Sequence, residues 1–535
     1  MMDALDGTYD YIIVGAGSAG CVVANRLSAD PSIRVLLLEA GGKDDWIWFH
    51  IPAGYLFAIG NPRADWMFET EAEAGLNGRA LKYPRGKVLG GSSAINAMIS
   101  MRGQAADYDG WRDLGLAGWG WDDVRPVFRR LDSHFRGACD HHGADGEWRV
   151  EEPRLRWSIL DAVARATIEM GVPATDDFNR GDNEGVGYFH VNQRRGLRVS
   201  AARAFLKPVL KRPNLRVETG VHVERILFDD KRATGIRYRQ NSQIMEATTC
   251  GEVILCAGAV GSPHLLQLSG VGPAEWLSGH DIPVIADSQG IGRNLQDHLQ
   301  QRAIYRVTGA KTLNTTYHSL FGRALIGLDY ALRRRGPLTM APSQLGIFTR
   351  SSADQDRANL EFHIQPLSLD KFGDPLHRFP AITLSACNLR PTSRGEIRLR
   401  SPDPADKPTI APNYLSTEED RAVAADAIRV TRRLMAQPTM QLFAPDEILP
   451  GPSVGDDQAA LVKAAGDIGT TIFHPVGTAA MGKVVDERLR VIGLDGLRVI
   501  DASVMPTITS GNTNTPTIMI ADKGAEMVRA DRRAS

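Results

Sequence analysis

Tyr9-Asp10-Tyr11-Ile12-Ile13-Val14-Gly15-Ala16-Gly17-Ser18-Ala19-Gly20 joins an apolar strand directly to a glycine-rich turn. Each glycine has its own task. Gly15 allows a tight turn, Gly17 lets the backbone approach a pyrophosphate, and Gly20 lets the next helix pack closely on the strand. The spacing predicts that helix over residues 18–28, with the unpaired N–H groups and positive end of its first turn toward the phosphates. A second apolar run, Val35-Leu36-Leu37-Leu38, ends in Glu39, nineteen residues past Gly20, where a carboxylate can accept from a ribose hydroxyl. Strand, glycines, helix, second strand and acid in this order imply a bound dinucleotide.

The 535 residues suffice for two or more domains, and 43% hydrophobic with 23% charged is an ordinary globular balance. With 62 Lys and Arg against 63 Asp and Glu, no overall field gathers nucleic acid or an anionic membrane. The expected partner is a small uncharged molecule, handled by a monomer or homodimer. No run approaches the ~18 apolar residues of a membrane span. No basic, then apolar leader precedes Tyr9, so a cytoplasmic location is expected. Cys21, Cys139, Cys250, Cys256 and Cys387 form no CxxC pair, which argues against a disulfide framework and against a metal site.

Beyond Glu39, an aromatic segment from Trp46 to Trp66 reads as an ordered excursion over the nucleotide. In Arg85-Gly86-Lys87-Val88-Leu89-Gly90-Gly91-Ser92-Ser93-Ala94-Ile95-Asn96, paired glycines and hydroxyls make a loop that can lie flat against a planar ring. Residues 111–156 read as loop, with Cys139-Asp140-His141-His142 solvated rather than metal-binding because adjacent histidines diverge. Period-two runs at 215–218, 221–226 and 235–238 read as strands, and 252–259, which ends in small residues, as a parallel strand returning to the nucleotide. From about 300 to 450 a second domain is expected, with strands at 360–365 and 395–400. Val423, Ala427, Val430 and Leu434 mark one helix face there. An antiparallel sheet would roof the cofactor, and Arg333-Arg334-Arg335 reads as a solvated helix end. Residues 496–503 form a last apolar strand ending in acid, and an apolar run from Ile518 reads as a terminal helix with Pro516 in its first turn.

Four of these motifs together resemble the glucose-methanol-choline (GMC) flavoprotein oxidoreductases. They are the opening glycines with Glu39, the loop from Gly86 to Asn96, and Gly258-Ala259-Val260-Gly261-Ser262-Pro263-His264-Leu265. The fourth combines Phe473-His474-Pro475-Val476-Gly477 with Asp501-Ala502-Ser503 and Gly511-Asn512-Thr513-Asn514. The resemblance implies an α/β fold: a Rossmann-like FAD-binding domain interleaved with an α+β substrate-binding domain built on an antiparallel sheet. The first would take residues 1–155, 195–300 and 455–535, the second 156–194 and 301–454.

By the same resemblance, FAD is held by Gly15, Gly17, Ser18, Ala19, Gly20, Glu39 and Ala40. The Gly-Gly loop adds Arg85, Val88, Gly90, Gly91, Ser92, Asn96 and Ala97. Val223, Ala257, Gly258, Asp501, Ala502, Asn512 and Thr513 complete the set. His474 falls on the family's catalytic histidine, and Asn512 falls where a second histidine or asparagine stands. Asn514 competes for that second place, and the count back from Ala521-Asp522-Lys523 favours Asn512. Ile95 stands where members with covalent FAD carry a histidine, so noncovalent FAD is expected. Gln344 is the nearest match to the glutamate of choline-oxidising members, which disfavours choline. Substrate contacts are expected at Gln344, His363 and Phe473, with Gln365 on the face of His363.

The implied reaction oxidises a primary or benzylic-type alcohol to the aldehyde, with His474 as base, Asn512 on the substrate oxygen and hydride transfer to the flavin N5. Electrons would pass to oxygen or to a quinone or dye-like acceptor. The alternative from another class is a hydroxynitrile lyase of the same fold, which keeps FAD without net redox turnover.

Overall fold

The structure, a computed structural model, describes residues 8–371 and 373–534. β1 (Tyr9–Val14), α1 (Ser18–Leu27) and β2 (Val35–Glu39) form its first unit. Both strands are apolar almost throughout because both faces of the sheet are covered. The expected loop over 111–156 is instead partly helical: α2 (Ala105–Asp113) ends inside it and α3 (Trp121–Leu131) lies wholly within it. Val124, Val127, Phe128 and Leu131 of α3 repeat at helical spacing and are buried, a period that Pro126 and the flanking glycines obscure. His142 is likewise no solvated residue. Its two ring nitrogens lie 2.9 Å from Asp132 and 2.8 Å from Asp177, and its ring stacks on His134. Among the described residues no cluster of His, Cys, Asp and Glu suits a metal ion.

The chain continues through α4 (Ser158–Glu169) and β3 (Gly185–Tyr188) before a run of strands: β4 (Leu215–Thr219), β5 (His222–Asp229), β6 (Arg232–Gln240) and β7 (Gln243–Leu255). α5 (Gly258–Leu268), β8 (Leu299–Arg306), α6 (Leu320–Arg333), β9 (Leu345–Thr349), β10 (Leu360–Gln365) and β11 (Ala381–Asn388) follow. The last elements are α7 (Glu418–Met435), β12 (Asp446–Leu449), α8 (Gln458–Ile468), β13 (Gly469–Thr471), β14 (Leu497–Val499) and α9 (Asn514–Ala534).

The first sheet has the order β4-β2-β1-β7-β6-β5, with β14 also on β7. β7 works twice: Gln243 to Thr248 pairs antiparallel with β6, and its later residues lie parallel between β1 and β14. The second sheet, antiparallel throughout, runs β12-β8-β11-β10-β9-β3, with β13 also on β8. Sheet membership therefore crosses the boundary expected at 455, because β13 pairs with Leu299–Gln301.

The second sheet has two unlike faces. Ala303, Tyr305, Leu345, Phe362, Ile364 and Leu384 pack on α4 and on the Val423, Ala427, Val430 and Leu434 stripe of α7. On the other face the register aligns Arg302, Ser385 and His363 in one row and Gln300, Cys387 and Glu361 in the next. Alternation of side chains produces this division, and the polar face becomes a roof.

α1 lies so close to β1 that a Cβ on Gly20 would sit 1.9 Å from the Gly15 carbonyl oxygen. Gly20→Ala is expected to destabilise the fold by about 1–3 kcal/mol, read as a lowered urea midpoint with flavin content reduced in parallel.

Candidate active site

A cavity of about 2140 Å³ runs between the two sheets from Glu39 to His474. That is roughly twice the upper range of ~300–1,000 Å³ for one small-molecule site. It has room for a dinucleotide and a second molecule. At its nucleotide end, Gly15, Gly17, Ser18, Ala19, Glu39 and Ala40 line the wall. Glu39 accepts from the Ala16 N–H at 3.0 Å and the Gly41 N–H at 2.8 Å. Burial outweighs those donors and pushes its carboxyl up to about 7. Each carboxylate oxygen keeps acceptor capacity for a ribose hydroxyl.

Gly91 lies against Gly17 so closely that a Cβ on Gly91 would approach the Gly17 Cα to 2.7 Å. Ser18 Oγ donates to Asn514 Oδ1 at 2.6 Å, which ties the N-terminus of α1 to that of α9. Two positive helix ends thus face one cavity. Asn512 Oδ1, Asn514 Nδ2 and Thr515 Oγ1 are buried there without a partner among the described residues. Backbone glycines, paired helix ends, an acid and unpartnered amide and hydroxyl groups are the complement of a flavin dinucleotide, so the residues fit FAD.

Arg85, Ser92, Asn96, Ala97, Val223, Ala257, Gly258, Ala502 and Thr513 line the same cavity. Gly20, Val88 and Gly90 stand behind its wall. Gly90 N–H donates to Ala16 O at 2.8 Å, so it braces the glycine turn instead of facing the cofactor. Asp501 reaches the wall, but its carboxylate accepts from Gly258 N–H, Ser262 Oγ, and both Ser503 N–H and Oγ. It fixes the start of α5.

At the other end, His474 Nε2 lies 3.1 Å from Asn512 Nδ2, and His474 Nδ1 lies 3.1 Å from His298 Nδ1. His298 Nε2 is 3.1 Å from the Leu389 carbonyl oxygen. A carbonyl only accepts, so His298 carries its proton on Nε2 and presents Nδ1 as an acceptor. His474 therefore donates from Nδ1, which leaves the Nε2 lone pair on the side of Asn512. Burial, then the neighbouring His298, His363 and Arg85, hold His474 well below the usual histidine range. It is a neutral base.

Asp297 positions that base. Its carboxylate accepts from the hydroxyls of Tyr83 (3.0 Å), Tyr414 (2.5 Å) and Thr471 (2.6 Å), and from the His474 N–H (2.8 Å). Arg85 Nη2 donates to Phe473 O at 2.6 Å, so it also holds the histidine loop. Asp297, His298 and Tyr83 were not evident from the sequence. The first two sit in the run Asn294-Leu295-Gln296-Asp297-His298 just before β8, and Tyr83 lies far from it in the sequence.

His363 and Phe473 line the substrate end with Gln365. His363 is buried, with Nε2 3.0 Å from Glu361 Oε1 and its ring stacked on Phe189. Gln344 is not at the wall: its amide donates to Leu155 O at 3.2 Å. Gln300 of β8 lines the cavity in its place. Asn512 and Asn514 have different partners, His474 for the first and Ser18 for the second.

The family model for GMC oxidoreductases matches residues 9–300, and that for their C-terminal part matches 391–521. The chain is 43% identical over 528 residues to the alcohol dehydrogenase [acceptor] of Pseudomonas putida, covering 97% of this chain and 95% of that protein. It is 40% identical to the mitochondrial choline dehydrogenase of Homo sapiens, covering 97% and 90%. Among solved structures it resembles pyridoxine 4-oxidase from Mesorbium loti, with a TM-score of 0.87, 31% identity and coverage of 97% and 99%. A fungal aryl-alcohol oxidase gives 0.87 at 25% identity, covering 99% and 100%. With the geometry above, these matches show that the chain belongs to the GMC oxidoreductase family of FAD-dependent enzymes.

Proposed function

We propose that the chain oxidises a primary or benzylic-type alcohol to the aldehyde, with His474 as the base and Asn512 holding the substrate oxygen. One observation carries the reading: a neutral, buried imidazole at the cavity wall whose Nε2 lone pair accepts from the Asn512 amide, a bond that an alcohol hydroxyl can replace. FAD, bound noncovalently by the glycine turn, Glu39 and the two helix ends, supplies the two-electron acceptor for the hydride that leaves the carbinol carbon.

The protein handles the proton. The alcohol oxygen accepts from Asn512 Nδ2–H, and its hydroxyl donates to His474 Nε2. As His474 takes the proton, its Nδ1–H bond to His298 tightens against the growing positive charge. Asp297 keeps the imidazole backbone fixed, so the base does not drift during transfer. Leu313, Tyr317, Met340, Leu367 and Ile472 give the substrate end an apolar wall, with Gln300, Gln365 and Arg302 as polar groups and Asp370, Lys371 and Asp374 also on the cavity lining. A neutral alcohol with an apolar body suits that lining. The antiparallel sheet is assigned to substrate, the parallel sheet to cofactor. No lyase is among the relatives named above, and the electron acceptor is assigned as oxygen or a quinone.

Three outcomes test this reading. His474→Ala should lower kcat/KM by about 10²- to 10⁴-fold while flavin absorbance per protein is unchanged, and undiminished turnover removes His474 from the mechanism. Because the His474 conjugate acid is held below the usual range, the neutral base persists as pH falls through 6.5. The acid limb of kcat/KM against pH should therefore lie below 6.5, and a limb centred above 7 would assign the proton to another group. Trichloroacetic acid precipitation should leave all the flavin in the supernatant, whereas a yellow pellet would mean a covalent link.

A further inference from the structure

α6 is an exposed helix that the reaction does not use. None of its 14 residues is buried. Phe321, Leu325, Leu328 and Leu332, spaced 4, 3 and 4, form one stripe with exposures of 74%, 48%, 55% and 75%, and Leu320 beside them is 80% exposed. Side chains this apolar on a helix surface mark a contact with something apolar. A solvated helix end would not need them.

The charge around the helix is as uneven as its hydrophobicity. Arg323, Arg333, Arg334 and Arg335 lie on α6 or just past it, against the single acid Asp329, 3.8 Å from Arg333. The cluster extends into the next layer. Arg154 Nε donates to Arg334 O at 2.9 Å, and Tyr330 donates to Gly196 O, which brings the exposed Arg194 and Arg195 to the same end. Arg203 is close enough that, after burial, Arg334 and Arg194 depress its guanidinium from the ordinary value. A chain of net charge −1 thus carries an arginine patch at one end of an apolar stripe.

The helix also frames the cavity mouth. Leu313 and Tyr317 before it, and Pro337 and Leu338 after it, line the cavity. The turn Pro52–Gly54 packs on Pro337–Thr339, and beside it Leu56 and Phe57 are half exposed and line the cavity as well.

We infer that α6 lies in the interface of an anionic phospholipid bilayer, with its Leu and Phe stripe among the acyl chains and the arginines on the headgroups. The cavity mouth then opens toward the lipid. No helix among the described residues is long and apolar enough to cross a membrane, so the helix lies on the surface. The arginines select the occupant: a neutral apolar partner would leave them unmatched, and anionic headgroups complement them. The inference does not depend on the proposed reaction.

Vesicle flotation of the full-length, flavin-loaded protein tests it. Wild type should float with phosphatidylcholine/phosphatidylglycerol vesicles at low salt and at least ~10-fold less with phosphatidylcholine alone. Leu325→Glu with Leu328→Glu, and separately Arg333→Gln with Arg335→Gln, should each reduce flotation about 10-fold. Both double variants should retain wild-type flavin content and turnover of a water-soluble alcohol with a dye acceptor, since neither pair touches the reaction site. Absence of wild-type flotation, or equal flotation of the leucine variant, overturns the inference. So does a dimer by light scattering that the leucine variant converts to monomer, which would make the face a contact between two copies. Flotation that needs the arginines but not the leucines also overturns it, and points to an acidic partner in place of lipid.

Discussion

The Asp297 carboxylate anchors the reactive half of the molecule. It is buried, and it draws four donors from separate parts of the chain: Tyr83, Tyr414, Thr471 and the backbone of His474. A hydrogen bond to a charged group contributes about 1.5–3 kcal/mol, and a buried charge without such bonds is strongly destabilising. The donors cannot leave without stranding that charge. Next to it, Phe473 has a φ of +70°, a left-handed conformation that costs a non-glycine residue about 1–3 kcal/mol. Arg85 and Thr471 grip both of its peptide groups and offset the strain. The imidazole that follows is aimed by a backbone that would otherwise relax.

Two sheets with different rules enclose the cavity. The parallel strands β1, β2 and the end of β7 are covered on both faces and read as apolar runs, and the glycine turn and Glu39 stand at strand ends on the cavity wall. The antiparallel sheet packs one face on α4 and α7 and turns the other inward, where Gln300, Arg302, His363 and Gln365 share that face in successive rows. Strand ends of the first sheet and a strand face of the second thus line one cavity.

How much of this was legible depended on the range of the signal. The glycine turn, α1, β2 and the terminal helix follow from local period and turn chemistry, and the structure has them within a residue or a few. The α7 stripe was equally plain. Helices α2 and α3 were missed because glycines and Pro126 interrupt a period that tertiary burial nevertheless completes. His142 read as solvated because its partners, Asp132 and Asp177, lie 10 and 35 residues away. Asp297 was silent for the same reason: all four of its donors are over a hundred residues distant. Gln344 stands off the cavity wall because, just before β9, its amide turns to the Leu155 carbonyl, a partner 189 residues away in sequence. Exposure of the α6 leucines is likewise a property of what the fold leaves uncovered.

The Ser18–Asn514 bond spans 496 residues and unites the two helix ends that face the cofactor. A ribosome must therefore pass residue 514 before the nascent chain owns a complete flavin pocket. Until then α1 lacks α9, with which it packs, and that part of the apolar interior stays open to solvent. A pocket assembled from both ends of the sequence thus becomes whole only when nearly the entire chain has been made.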